Sequence, residues 1–310
     1  MINLDIIMNR FDLHSLFPLV KRPDVFVYKA KSKDNWVVIK MHKKEEPYKR
    51  ECEALELVQG KNLPIPEIID KDTVEGRFVI VQEWLEGEQL DKLVSKLELK
   101  TQEKLVSQAG EWLAALQFAL SYEDFDKSSF WNRKHYDQTD IVHFSWKDYI
   151  RSQVDKWLER IKLREEDRLY NLEKILQVIK NQVDYLSEPK KLSFIHGDYV
   201  FRNLLVNQNR EMLMGIIDFE AVSIGDPLWD LAKITWSDID IHNNELQMEF
   251  IKGWEQKAGH SISKQRLKLH QSIQALATVA WVDKQPIQTK ENELFRKKAL
   301  RALEYYNREL

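Results

Sequence analysis

Two short apolar runs, Leu204–Val206 and Met212–Ile217, flank the polar stretch Asn207–Arg210, and this pattern predicts a β-hairpin. Similar β-rich runs occur earlier. "VFVYKAK" (25–31) and "WVVIKMH" (36–42) are joined by the turn "SKDN", and "GRFVIVQEWL" (76–85) ends at the polar elbow "EGEQ". Between them, "YKRECEALELVQG" places Glu51, Leu55 and Val58 on one helical face, with Gly60 as the stop. "NLPIPEII" reads as an extended link, because each proline holds its predecessor out of the helical region. Beyond the elbow the spacing becomes helical over 101–120, 146–162, 166–186, 227–236, 244–258, 264–283 and 290–308, with only the hairpin interrupting. A strand-rich segment followed by a mostly helical one predicts an α+β fold of two lobes, 1–86 and 87–310. The hinge falls at Glu83–Gly87, and the cleft between lobes is the expected ligand site.

The 310 residues suffice for a substantial core, and 43% apolar with 31% charged residues is an ordinary globular composition. A net charge of −3 gives no basic excess for nucleic acid. The single cysteine, Cys52, excludes an internal disulfide framework and fits a reducing cytoplasm. The opening "MINLDIIMNRFDLH" lacks a basic start and carries Asp5 in its apolar stretch, so it does not read as a signal peptide. No apolar run reaches the roughly 18 residues of a membrane span.

Chemistry gathers at the hairpin. Asn203 precedes its first strand and Asp218 follows its second, so their side-chain oxygens converge at one end, with Asp198 one short loop upstream. Three such side chains at a strand edge call for hydrogen bonds or a cation, and magnesium suits an oxygen set completed by phosphate and water. The order "HGDYVFRN" then "GIID" matches a phosphoryl-transfer arrangement, with Asp198 as base and Asn203 and Asp218 on the metal. Downstream, "GDPLWDLA" starts a helix at Asp226 and Pro227, and Asp230 in its first turn is placed to accept bonds from a backbone loop. Upstream, Lys40 ends an apolar strand, where it can neutralise nucleotide phosphates, with Glu51 (or Glu53, one residue out of phase) holding it.

Those motifs, with the hinge "VQEWLEGE", resemble the aminoglycoside phosphotransferase family of small-molecule kinases, within the protein-kinase-like fold. The resemblance covers most of the chain. It implies that Asp198 is the catalytic base and that Asn203 and Asp218 bind Mg2+. It further implies that Lys40, paired with Glu51, contacts the α/β-phosphates of ATP or GTP. Gln82, Glu83, Trp84 and Leu85 would offer backbone groups to the base, and Asp230 would brace the catalytic loop, as His196 would through a backbone hydrogen bond. The partners implied are a nucleoside triphosphate and a small-molecule hydroxyl acceptor, with antibiotic resistance as one role; neither nucleic acid nor membrane is expected.

Three positions depart from the family. "LVKRPDVFV", where a phosphate-covering loop belongs, has no glycine, which leaves Lys21 or Arg22 as substitutes for close backbone amides. Gln117 stands where a histidine is common, and Arg202 adjoins Asn203, in reach of a γ-phosphate or free in an exposed loop. The resemblance places the acceptor pocket after Asp230, where Asp238, Asp240, Glu245 and Glu249 crowd together. That cluster suits either a cationic acceptor walled by Trp236 or a solvated helix start. Trp229, Trp236, Trp254 and Trp281 have the helical spacing of core residues rather than of an aromatic box, and the charged tail reads as a solvated face. Rival readings are a metallohydrolase, which lacks histidines at metal spacing, and a nucleotide binder without turnover. The acceptor stays open among aminoglycosides, macrolides, amino alcohols and sugars.

Overall fold

The computed structural model describes residues 3–127 and 145–308. It opens with helix α1 (Leu4–Arg10) and a five-stranded antiparallel sheet: β1 (Leu13–Lys21), β2 (Val25–Ser32), β3 (Asn35–His42), β4 (Ile68–Val74) and β5 (Arg77–Glu83), in the order β1-β2-β3-β5-β4. Helix α2 (Glu45–Val58) connects β3 to β4. Strand alternation divides the sheet's faces. Val37, Ile39 and Met41 of β3 pack with Tyr28, Ala30, Val79, Val81 and Ile7 of α1 in one apolar core. Lys40 pairs across the ladder with Val27 and Ile80, and Val38 with Lys29 and Gln82, which puts these residues on the opposite, cleft-facing side.

The sequence pattern misses α1, β1 and most of β4. In "LHSLFPLVK" Pro18 interrupts a strand at the sheet's edge, where its missing N–H costs least, and β4 alternates charged with apolar residues.

The helical region contains α3 (Leu90–Leu93), α4 (Leu99–Gln117), α5 (Tyr122–Lys127), α6 (Trp146–Leu158), α7 (Leu172–Val183), α8 (Leu228–Ser237), α9 (Asn244–Ala258), α10 (Lys264–Lys284) and α11 (Lys290–Asn307). Between α7 and α8 lie β7 (Ser193–Ile195), β8 (Leu204–Val206), β9 (Leu213–Ile216) and β10 (Ser223–Gly225). The expected hairpin is β8–β9, and β6 (Glu88–Gln89), the second half of the elbow, adds a third strand to it. The expected helix 166–186 is broken: Asn171 adopts a left-handed φ of 49° and separates a 3-10 stretch (Glu165–Tyr170) from α7. Helices α4 and α9 meet backbone to backbone. A Cβ on Gly110 would lie 2.1 Å from the Phe250 carbonyl, and one on Gly253 equally close to that of Ser107. Among the described residues no helix is long and apolar enough to cross a membrane.

The tail is not uniformly solvated. Arg296 of α11 is buried and grips Asp167 with two bonds, at 2.6 and 2.8 Å, and Asp283 of α10 through Nε at 2.9 Å. Arg164 joins the same Asp283 at 2.8 Å. Removing one partner of a buried charge set strands the others. Arg296→Met is therefore expected to cost about 3–5 kcal/mol of folding free energy. Urea denaturation measures this, and a loss within the range of a surface substitution would refute the assigned weight of the network.

Candidate active site

Lys40 reaches the cleft from β3 with its ammonium 2.6 Å from Glu51 Oε1 and 2.9 Å from Asp218 Oδ1. Glu51, not Glu53, is the residue of α2 that meets it. Glu51 is buried and also accepts from Gln82 Nε2 at 2.9 Å. His42 Nε2 stands 3.4 Å from Glu51 Oε2, too poorly aimed to complete a hydrogen bond at either atom. Burial alone would discharge Lys40, but Asp218 and Glu51 reverse that and hold its pKa above the ordinary value. Burial likewise disfavours ionised Glu51, and Lys40 and His42 override it, so the carboxyl lies below its usual range.

The hairpin fixes the other half. Ile217 N–H donates to Asn203 O at 3.0 Å, closing the hairpin end so that Asn203 and Asp218 become neighbours, as their places in the sequence predict. Asp218 has φ 72°, a left-handed conformation that aspartate tolerates better than most residues.

The loop carrying Asp198 hangs from Asp230. Its buried carboxylate accepts from His196 N at 2.8 Å and Gly197 N at 2.9 Å. Gly197 has φ 79°, and a Cβ there would lie 2.2 Å from Ala221 O, so only glycine fits. The Asp198 N–H donates to His196 Nδ1 at 3.3 Å, and His196 Nε2 faces Ile217 O at 3.2 Å, a pattern that requires the neutral ring protonated on Nε2. Burial lowers the His196 pKa and keeps it neutral. Burial also pushes Asp230 up to about 7, against the pull of its backbone hydrogen bonds from His196 and Gly197. Gln117, at the end of α4, donates to Pro227 O at 2.8 Å and accepts from Trp254 Nε1 at 2.7 Å, tying α4 to the start of α8.

Asp198 Oδ2 accepts from Arg202 at 2.5 Å and from Asn203 Nδ2 at 3.1 Å. Among the described residues no hydrogen bond reaches Asp198 Oδ1, Asn203 Oδ1 or Asp218 Oδ2. Three free oxygens at one hairpin end fit a hard, oxygen-seeking cation that keeps phosphate and water in its shell. No group of three or more His, Cys, Asp or Glu side chains suited to a metal occurs among the described residues.

The first two residues of the elbow segment 82–85, Gln82 and Glu83, are engaged in the sheet. Gln82 is paired on both sides, with Val38 and Ile68, and its side chain serves Glu51, so it is part of the ladder rather than a free edge. Glu83 N–H is taken by Glu67 O at 2.9 Å. Trp84 and Leu85 lie beyond the strand; Leu85 rests on Gly215, and the Lys29 ammonium sits 3.9 Å from the Trp84 ring centroid. Lys21 ends β1, and Arg22 lies in the exposed turn to β2.

The expected acceptor cluster is not a cleft wall. Trp236 is fully buried and stacks on Phe295 with centroids 5.7 Å apart. Asp238 turns inward to accept from Phe201 N at 3.1 Å and from Ser237 Oγ. Asp240 and Glu245 are exposed, Asp240 accepting from His242 N at 2.8 Å. Backbone donors recruit Asp238 and Asp240, and Asn243 caps α9 by accepting from Leu246 N, as a helix start requires. Sequence reasoning also missed the Gln82–Glu51 bond, which could have been read from Gln82 and Lys40 sharing a face of adjacent strands, and it gave Lys233 no role.

The structure is similar to a thermostable mutant of aminoglycoside phosphotransferase APH(4)-Ia (TM-score 0.73, 15% identity, 98% of each chain covered). It is also similar to that enzyme in a ternary complex with ADP and hygromycin B (0.72, 14%, 98% and 97%) and to the streptomycin–ATP–APH(2")-IIa complex (0.67, 18%, 98% and 99%). At such identities the likeness shows the protein-kinase-like α+β fold. In sequence, the chain matches mouse acyl-CoA dehydrogenase family member 10 with 26% identity over 85 residues, 27% of this chain and only 8% of that protein. The profile of the phosphotransferase enzyme family (APH) matches residues 23–270, and the chain belongs to that family.

Proposed function

We propose that the protein transfers the γ-phosphoryl group of ATP or GTP to a hydroxyl of a small molecule, with magnesium, and that the lobes meet at 86/87. The observation that carries this reading is the convergence of Lys40, Asp198, Asn203 and Asp218 on one cleft. Relatives of the same fold bound to ADP with hygromycin B, or to ATP with streptomycin, support a nucleotide and a small acceptor. The Asp198 carboxylate takes the hydroxyl proton as the acceptor oxygen bonds to the γ-phosphorus, the bond to the β-phosphate oxygen breaks, and the nucleoside diphosphate leaves. Lys40, held by Glu51, neutralises the α/β-phosphates, and Glu83, Trp84 and Leu85 line the base. Magnesium held by Asn203 Oδ1 and Asp218 Oδ2 would neutralise phosphate charge. The deciding assay is nucleoside-diphosphate release from ATP and GTP against aminoglycosides, macrolides, amino alcohols, sugars and hydroxy acids. Acceptor-dependent release is expected; magnesium-dependent binding without release would instead favour a binder without turnover.

Asp198→Ala is expected to lower kcat by about 10²–10⁴ while nucleotide affinity stays nearly intact. A variant that kept more than about a tenth of turnover would move the base elsewhere.

Asp218→Asn separates metal from base. Calorimetric titration should show magnesium–nucleotide binding weakened and metal-free binding changed much less, and equal losses would make Asp218 a structural residue.

Asp230 has a folded pKa of about 7, above its ordinary 3.8. Its contribution to stability is therefore full below about pH 4 and is lost as pH rises to about 7. Asp230→Asn is expected to flatten that part of the stability–pH curve in urea titrations. An unchanged slope would mean that other groups carry it.

A further inference from the structure

Lys233 occupies α8 one turn beyond Asp230. Its ammonium makes no hydrogen bond or ion pair among the described residues, and its neighbours are the rings of Trp236 and Phe295, 5.8 and 5.9 Å away at their centroids. Asp230, one turn earlier on the same face of α8, bonds His196 N and Gly197 N, and Asp198, Arg202 and Asp238 also act on the Lys233 charge, so Lys233 lies beside the Asp198 loop. Burial lowers its pKa, Asp198 opposes that, and Arg202 reinforces it.

Apart from Asp198 Oδ1, the carboxylate oxygens of the nearby acids are already engaged. Asp230 holds two backbone N–H groups, Asp238 holds Phe201 N and Ser237 Oγ, and Asp198 holds Arg202 and Asn203. Lys233 is half-buried, and ring faces supply only part of the compensation that a counter-anion would give its ammonium. Arg202 is the second cation there, with its side chain half exposed.

We propose that the acceptor carries a carboxylate or phosphate besides its reacting hydroxyl, and that Lys233 and Arg202 bind this anionic group. This rests on the phosphotransferase reading and narrows its acceptor away from polycations. It also gives Arg202 a positioning part. In the free protein its guanidinium holds Asp198 Oδ2, and an incoming anion that draws it off frees that oxygen as the hydroxyl arrives.

Two measurements test the proposal. Acetylation of Lys233 by acetic anhydride, followed by mass spectrometry, should slow with inorganic phosphate or acetate but not with sodium chloride at equal ionic strength. The two anions, tried separately, tell a phosphate preference from a carboxylate preference. Equal labelling in all three salts would overturn the proposal, whatever the enzyme's turnover. In the release assay, glycerate and glycerol 3-phosphate should be preferred to glycerol and to kanamycin. For the best acceptor, Lys233→Gln should raise KM about tenfold or more, while the nucleotide KM moves less than about twofold. A best acceptor that is neutral or polycationic, with KM unmoved by Lys233→Gln, would refute the proposal and leave the phosphotransferase intact. Absence of release with every acceptor, alongside anion protection of Lys233, would instead count against the phosphotransferase reading.

Discussion

A lysine ammonium drawn out of water at the floor of a cleft has to be neutralised there, and at Lys40 this requirement organises the molecule. One carboxylate comes from α2 and the other from the end of the β8–β9 hairpin, 178 positions along the chain. The pairing tolerates no register error in β3, because a slip of one residue would turn Lys40 into the apolar core and Ile39 into the cleft. Gln82 adds a further constraint by fixing the Glu51 carboxylate from the neighbouring strand. Sheet, helix and hairpin are thus placed by a single charge.

The second fixed point is Asp230, which suspends the Asp198 loop by two backbone bonds. Its helix is held in turn through Gln117, whose two bonds span α4, the start of α8 and Trp254 of α9. The glycine contacts of α4 and α9 bring those backbones close enough for this chain of bonds to close. A loop glycine, a buried acid and a helix crossing act together on the position of one carboxylate.

Much of this was legible in the sequence because it is local. The hairpin, the Asn203–Asp218 adjacency, the Glu51 phase and the start of α8 all follow from short-range periodicity and turn chemistry. What escaped depends on burial by distant chain. Arg296 reads as a solvated tail residue until Asp167 and Asp283 enclose it. Helix α10 buries His270, Gln271, Gln274 and Asp283 along with its aliphatic residues, so no single apolar stripe marks its face. Asp238 looked like part of a surface charge cluster because the donor it serves, Phe201 N–H, lies 37 positions away. Trp236 has the helical spacing of a core residue, and the ring that covers it, Phe295, comes from distant chain.

Lys40 and Glu51 also belong to different packed bodies. The strand bearing Lys40 lies in the sheet's own core with Val37 and Met41, whereas Leu55 and Val58 of α2 pack into the large core shared with the helical region. The ion pair between them therefore acts as a caliper across the boundary of two cores. Any hinge opening that let the sheet swing while α2 stayed with the helices would lengthen that contact first, so cleft width and the pairing of the Lys40 ammonium change together.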